Sequence, residues 1–523
     1  MNGRGIALII FAVLVTGGLI VAWYYGRRGQ SSSEYWAAGG GITARRNALA
    51  TVGDFLSGSS LLGGVGLLFL AGLDGGFYIV LPVIAWIPVM LLIAERMRHL
   101  GRFTMSDVLA RRFESRGVRN SLAISTLVIS SVYLLAQMLV MGNLFTLLSG
   151  VGFNIAVVIA GAVMIVYVVL GGMQATTIIQ AAKAILLLGV LLLMTVFLLA
   201  HFNWNPAQLI ADATAPVGNF DPLRPGNLLK NPWDIITVGL ALTFGVAGLP
   251  HVMMRFFTVP NAVEARKSVT MTVWIIAVAS VLICFVGLGA GALLRDETTE
   301  LASTGGNLVT PRLAEVLGGG EGTLGGTVFL GVVSAVAFAT VVAVVSGLLL
   351  NAASTIVRDL LPSKLAADGT PDSAREVVRG RIASAGVGVA IVLLAIGLGP
   401  NFNATQLVTL AFGIAASANF PALLLTLTWS RLTDTGAVIG ILLGLVTSVV
   451  LMLLGPLWPG DSAVISLAGP TIVAMPLGFL GCLFGSLVTR RRESDSFELL
   501  LIESEVGAAT QLPATDTTST GKH

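Results

Sequence analysis

Apolar runs of about membrane-spanning length recur thirteen times along the chain. They lie near 5–25, 49–72, 77–94, 121–148, 153–171, 176–200, 233–258, 268–294, 325–355, 382–399, 404–428, 436–456 and 468–489. Runs of this length, separated by short polar connections, predict transmembrane helices, here numbered spans 1 to 13. Within the connection 95–120, Met105, Val108, Leu109 and Phe113 recur at helical spacing, which predicts an amphipathic helix. The tail opens with a second amphipathic stretch, FELLLIESEV at 497–506, and its last dozen residues are expected to be disordered.

Two of the runs carry interruptions. Residues 51–66 (TVGDFLSGSSLLGGVG) hold five glycines, three serines and Asp54 inside an apolar segment. Glycine clusters weaken helix continuity, and a lone acid gains nothing from lipid. The stretch therefore predicts a helix that breaks near mid-membrane, which is tolerated where it lines a cavity or binds something. A small-residue packing face between helices is the competing reading. Span 7 is interrupted in the same way by Gly245, Gly248 and Pro250.

Composition agrees with a polytopic all-α membrane protein. The chain is 55% hydrophobic and 11% charged, with a mean hydropathy of +0.90; a soluble chain would carry roughly twice that charged fraction. Basic residues fix an orientation. With the N-terminus outside, twenty-two fall in inside segments, including Arg27, Arg28, Arg45, Arg46, seven arginines at 96–119 and Arg490–Arg492. Five (Arg4, Arg224, Lys230, Arg295 and Arg312) fall outside. An odd span number then leaves the C-terminus in the cytoplasm. Span 1 is too long for a signal-peptide core and is expected to remain as a helix. Cys284 and Cys482 lie in apolar runs without metal spacing and read as buried thiols. The four histidines are too scattered for a metal cluster, and the chain has no phosphate loop and no matched nucleophile and base. Neither an enzyme, a nucleic-acid partner nor a cofactor is expected.

Several stretches resemble the sodium:solute symporter family. RLTDTGAVIGILLG at 431–444 and LGGMQA at 170–175 match its patterns. GDFLSGSSLLG (53–63), RFTMSDVLARRF (102–113), GGMQATTIIQAAKAILLL (171–188), GLPHVMMRFFTV (248–259) and AFATVVAVVSGLLL (337–350) are similar to its acetate permease branch. The resemblance implies a leucine-transporter-type fold of two inverted five-helix repeats. These are spans 2–6 (48–202) and spans 7–11 (232–430). Span 1 (1–30) and spans 12–13 (434–490) are peripheral, and 491–523 forms a cytoplasmic tail.

The resemblance also implies site residues. A cation, sodium, is expected on the carbonyls of Gly53 and Leu56 with a side chain of span 9. Ungapped counting there lands on Ala343 and Val344, which offer no ligand, so Thr340 is favoured, with Ser346 second. Gln180 stands where many relatives carry an aspartate linked to cation binding, which argues for one cation site. Asp54 ligates the cation, gates the site or carries a proton. Ser57, Ser59 and Ser60 are donors for a carboxylate substrate. Gln137 and Tyr133, four residues apart on span 4, form a polar wall of the substrate site or an interhelical hydrogen bond. His251 orients a gate, binds a carboxylate or packs. Arg255 snorkels or pairs with an acid, and Lys183 snorkels inward.

The expected function is a secondary active symporter of the cell (inner) membrane. It takes up a small monocarboxylate such as acetate with Na⁺ by alternating access, with a monomer able to function. A proton-coupled carrier of the same fold is the first alternative, and a membrane solute sensor a weaker one.

Overall fold

The structure, a computed structural model, describes residues 3–26, 36, 38–101, 103–113, 115–170, 173–361, 373–455, 467–489 and 497–507. Outside helices these residues hold turns and one isolated bridge, Val217 with Phe220. Among them, nine single helices are long and apolar enough to cross a membrane, and two bent pairs add one span each. The expected first and fifth spans are the helices Gly3–Gly26 and Phe153–Leu170. Every run read from the sequence thus carries a helix. The final dozen residues, for which disorder is expected, together with Gly171, Gly172, and basic residues such as Arg27, Arg28 and Arg490, lie outside the described residues.

The bent pairs are the two glycine-interrupted spans. Ala44–Phe55 meets Ser59–Ala71 at 55°, and Pro232–Gly248 meets Pro250–Phe257 at 41°. Leu56 (φ −73, ψ 88) and Leu249 (φ −77, ψ 112) leave the helical region and end the first half of each. Pro250 reinforces the second break, because it lacks an N–H and disfavours helical geometry in the residue before it. Past the first break, Ser59–Gly64 is a π-helical turn, as is Ala415–Asn419 within span 11. Wide turns of this kind collect at functional sites.

Span 11 (Ala404–Thr428) and span 9 (Leu324–Leu360) are the most enclosed, with 94% and 78% of their apolar windows buried. Spans 10 (Arg375–Leu398), 12 (Asp434–Leu454) and 13 (Thr471–Val488) are lipid-facing by the same measure, at 22%, 33% and 33%. The glycines of the RLTDTGAVIGILLG stretch serve packing. A Cβ at Gly440 would stand 2.2 Å from Cys482 Sγ, and one at Gly444 would stand 2.1 Å from the Ser417 carbonyl oxygen. Spans 12, 13 and 11 can meet this closely only without side chains there.

The amphipathic helix expected in 95–120 is Met105–Arg112, opened by a capping box of Thr104 and Asp107, with Met105, Val108 and Leu109 buried. The tail stretch is the helix Phe497–Val506. One expectation is corrected in part. Cys482 is buried, whereas Cys284 is only half-buried, because its helix turns that face toward lipid.

Candidate transport site

The break in span 2 divides its surroundings into two compartments. On one side, Leu56, Ser59 and Ser60 line a cavity of about 40 Å³ together with Tyr78, Tyr133, Thr405, Thr409 and Phe412. Aromatic rings close it: Phe412 lies 6.4 Å from Phe55 and 6.1 Å from Tyr133 between centroids. Tyr78 and Thr409 also border a larger vestibule of about 680 Å³, whose wall includes Asn227, Lys230 and Asn403. Tyr78 and Thr409 are thus a shared wall between the cavity at the break and the vestibule.

The polar groups at the break are tied together. Gln137 Nε2 donates to Ser57 Oγ (3.5 Å) and Ser59 Oγ (3.4 Å), and those two hydroxyls bond each other. Gln137 Oε1 has no partner. The second half of span 2 begins here, its N–H groups of Ser60 and Leu61 donating to the Ser57 carbonyl at 3.1 and 3.3 Å. Donors and helix dipole both favour an anion at such a start.

On the other side, the last turn of Ala44–Phe55 faces spans 6 (Met173–His201), 7 and 9. Gly53 packs on span 6 so closely that a Cβ would stand 2.4 Å from the Gln180 carbonyl oxygen. Asp54 and Arg255, each 1% exposed, form a salt bridge through Asp54 Oδ2. Arg255 also donates to Thr177 Oγ1 at 2.7 Å. Asp54 Oδ1, Gln180 Oε1 and Thr340 Oγ1 are buried without partners. A Cβ at Gly347 would stand 2.9 Å from Asp54 Oδ1 and 3.1 Å from Gln180 Nε2, which places span 9 against both. Buried oxygens without donors are costly unless a cation or water meets them. Oxygens of this kind are the ligand type sodium takes. Ser346 differs from Thr340: its hydroxyl bonds its own helix at the Ala343 carbonyl, 2.6 Å away.

Two sequence expectations are corrected or narrowed. Lys183 does not snorkel. It is 2% exposed, and its Nζ donates to the Thr340 carbonyl oxygen at 2.9 Å, because that acceptor lies within reach at its own depth. Arg255 takes the acid-pairing reading and does not reach the interface. His251 is buried with both ring nitrogens unpartnered, its ring edge-on to Tyr133 at 5.2 Å, and it stands outside the small cavity's lining.

Sequence reasoning missed the residues that satisfy the broken backbone. Thr405 Oγ1 donates to the Ser59 carbonyl (2.7 Å), Thr310 Oγ1 to Leu61 (2.9 Å) and Asn403 Nδ2 to Gly63 (3.1 Å). Asn419, in the π turn of span 11, donates to the Gly248 carbonyl at 3.0 Å and accepts from Ser125 Oγ at 2.7 Å. Their signal was a single polar residue within or beside an apolar run. Asp74 was missed as well: fully buried, it accepts from the backbone N–H groups of Gly226, Leu228 and Leu229 and fixes the vestibule wall.

The geometry can be set beside known proteins. A Na⁺-coupled sialic acid symporter, solved in a substrate-bound outward-open state, matches with a TM-score of 0.75 at 14% identity, covering 93% of this chain and 98% of that one. The nucleobase-cation-symport-1 transporter Mhp1, in a closed conformation with bromovinylhydantoin bound, matches with a TM-score of 0.51 at 14% identity, covering 90% and 98%. These likenesses show the leucine-transporter-type fold. In sequence, the chain is 37% identical over 513 residues to the uncharacterized symporter YwcA of Bacillus subtilis (strain 168), covering 96% of this chain and 98% of the relative. The sodium:solute symporter family model matches residues 35–444, and the chain belongs to that family, a solute symporter embedded in a membrane.

Proposed function

We propose that this symporter takes up a small monocarboxylate, most like acetate, together with Na⁺. The carrying observation is the cavity at the span 2 break. Its volume of about 40 Å³ has room for about three waters, so it suits a solute of a few heavy atoms. Its donors are hydroxyls and the start of a helix, while Arg255, the one arginine of the break, is committed to Asp54. In this reading Ser59 and Ser60 of the cavity lining receive the carboxylate, with Ser57 and Gln137 hydrogen-bonded behind Ser59. Gly53, Leu56 and Thr340 receive the cation, with Asp54 Oδ1 completing its shell. Spans 2–6 and 7–11 act as the two inverted repeats that alternate access around the site.

The substrate class has a direct check. Unlabelled acetate and propionate should displace labelled acetate in proteoliposomes, while succinate and glucose at equal concentration should compete poorly. Displacement by succinate or glucose would contradict a site this small with a single-carboxylate donor set.

The basic-residue bias orients the chain in the cell membrane with the N-terminus outside and the tail in the cytoplasm. The positions Gly117 and Gln208 are both exposed. In a cysteine-free background, an impermeant thiol reagent on intact cells should label Gln208→Cys and spare Gly117→Cys. The reverse pattern would invert the topology.

A second reading has one observation in its favour. The amine of Lys183 sits on the backbone carbonyl of Thr340, the residue whose hydroxyl is assigned here to the cation. A proton-coupled carrier with a tethered amine in that place would use the same fold.

A further inference from the structure

Span 3 ends at Leu100, and the next helix begins at Met105. The join crosses the inner half of span 7 closely: a Cβ at Gly101 would stand 2.4 Å from the Phe257 ring. Its two sides are fastened to different parts of the molecule. Span 3 is tied to spans 7 and 8. Arg98 donates to the carbonyls of Val259 (2.7 Å) and Pro260 (2.9 Å), and Glu95 pairs with Arg266 at 3.3 Å. The helix Met105–Arg112 is tied to spans 4, 9 and 11. Arg119 of span 4 stands 3.2 Å from Asp359 and 4.0 Å from Asp107, and buried Arg112 donates to the carbonyls of Thr426, Trp429 and Leu432.

The tail helix Phe497–Val506 lies across this join and holds both sides. Toward span 3, Arg96 pairs with Glu505 at 2.7 Å, and His99 Nδ1 meets the Ser504 carbonyl oxygen at 2.6 Å. Toward the loop helix, Arg111 Nε donates to Glu503 at 2.8 Å, and the Arg112 guanidinium lies 4.7 Å from the centre of the Phe497 ring. A cavity of about 590 Å³, bordered by Arg98, Asp107, Arg111 and Glu503, opens beside these contacts. The helix therefore bridges a gap and grips at its two sides. The hydrogen bond from Arg111 holds the Glu503 carboxyl below its usual range. The pair is then intact at neutral pH and is lost only as pH falls through that lowered value.

Any movement of the group holding spans 3, 7 and 8 against the group holding spans 4, 9 and 11 during alternating access must pass through this join. We propose that the tail helix is a brace between the span 3 end at Leu100 and the helix from Met105, holding the two groups together, and that its release sets how fast the site opens to the cytoplasm. This rests on the alternating-access reading above.

The test is hydrogen exchange on the full chain in lipid nanodiscs. Glu503→Arg places like charges against Arg111. It is expected to raise exchange about threefold in the inner halves 44–55 and 250–257. Glu503→Arg with Arg111→Glu restores the pair and is expected to return exchange to the wild-type rate. Fraying confined to 497–506, with the inner halves unchanged, would overturn the proposal. So would a rise that the swapped pair fails to reverse. Failure of the symport reading would appear elsewhere, as wild-type protein that accumulates no monocarboxylate, and would leave the exchange result standing.

Discussion

Asp54→Ala is expected to abolish uptake and to lower the melting temperature sharply. The substitution leaves the Arg255 guanidinium, 1% exposed, without its carboxylate. Breaking a buried pair by removing one partner costs about 3–5 kcal/mol, far more than the pair is worth against an apolar replacement. Asp54→Ala with Arg255→Met removes both charges and should recover most of the lost stability while remaining inactive. The pair joins Ala44–Phe55 of one broken span to Pro250–Phe257 of the other, and just past the latter Thr258 Oγ1 donates to Asn47 Oδ1 at 2.9 Å. Thermal unfolding in detergent with initial-rate uptake checks this. A single variant as stable and active as the wild type would show that the two halves are held some other way.

Thr340→Val should raise the half-saturating sodium concentration about tenfold or more, the effect of losing one ligand oxygen worth at least 1.4 kcal/mol or so. It preserves shape and removes a hydroxyl that is buried and unpartnered. The backbone carbonyl that Lys183 uses is untouched. Thr340→Ser keeps the oxygen and should be mild. Initial uptake against sodium separates the three proteins. A valine variant with wild-type sodium dependence would move attention to Ser346 or to protons.

The spans and breaks were legible because each follows from local chemistry. Length and hydropathy mark a span, while Gly245, Gly248 and Pro250 mark a break wherever they fall in one. The partners of the breaks were not legible. Thr405 meets Ser59, and Asn419 meets Gly248, across more than a hundred residues of sequence. A lone Thr or Asn in an apolar run does not say which carbonyl it serves. Lys183 shows the same limit from the other side. Its depth in span 6 allowed an interfacial amine, and only the approach of span 9 supplies the Thr340 carbonyl that keeps it buried. The signature glycines at 436, 440 and 444 identify the family through a packing requirement between spans 11, 12 and 13, remote from the cation ligands proposed here.

The most direct measurement is uptake of labelled acetate by purified protein in proteoliposomes, with equal pH on both sides and sodium or choline outside. Accumulation that requires sodium, saturates with it and collapses when the gradient is removed is the predicted result. Accumulation indifferent to sodium that follows an imposed pH gradient would contradict sodium coupling and establish the proton-coupled reading.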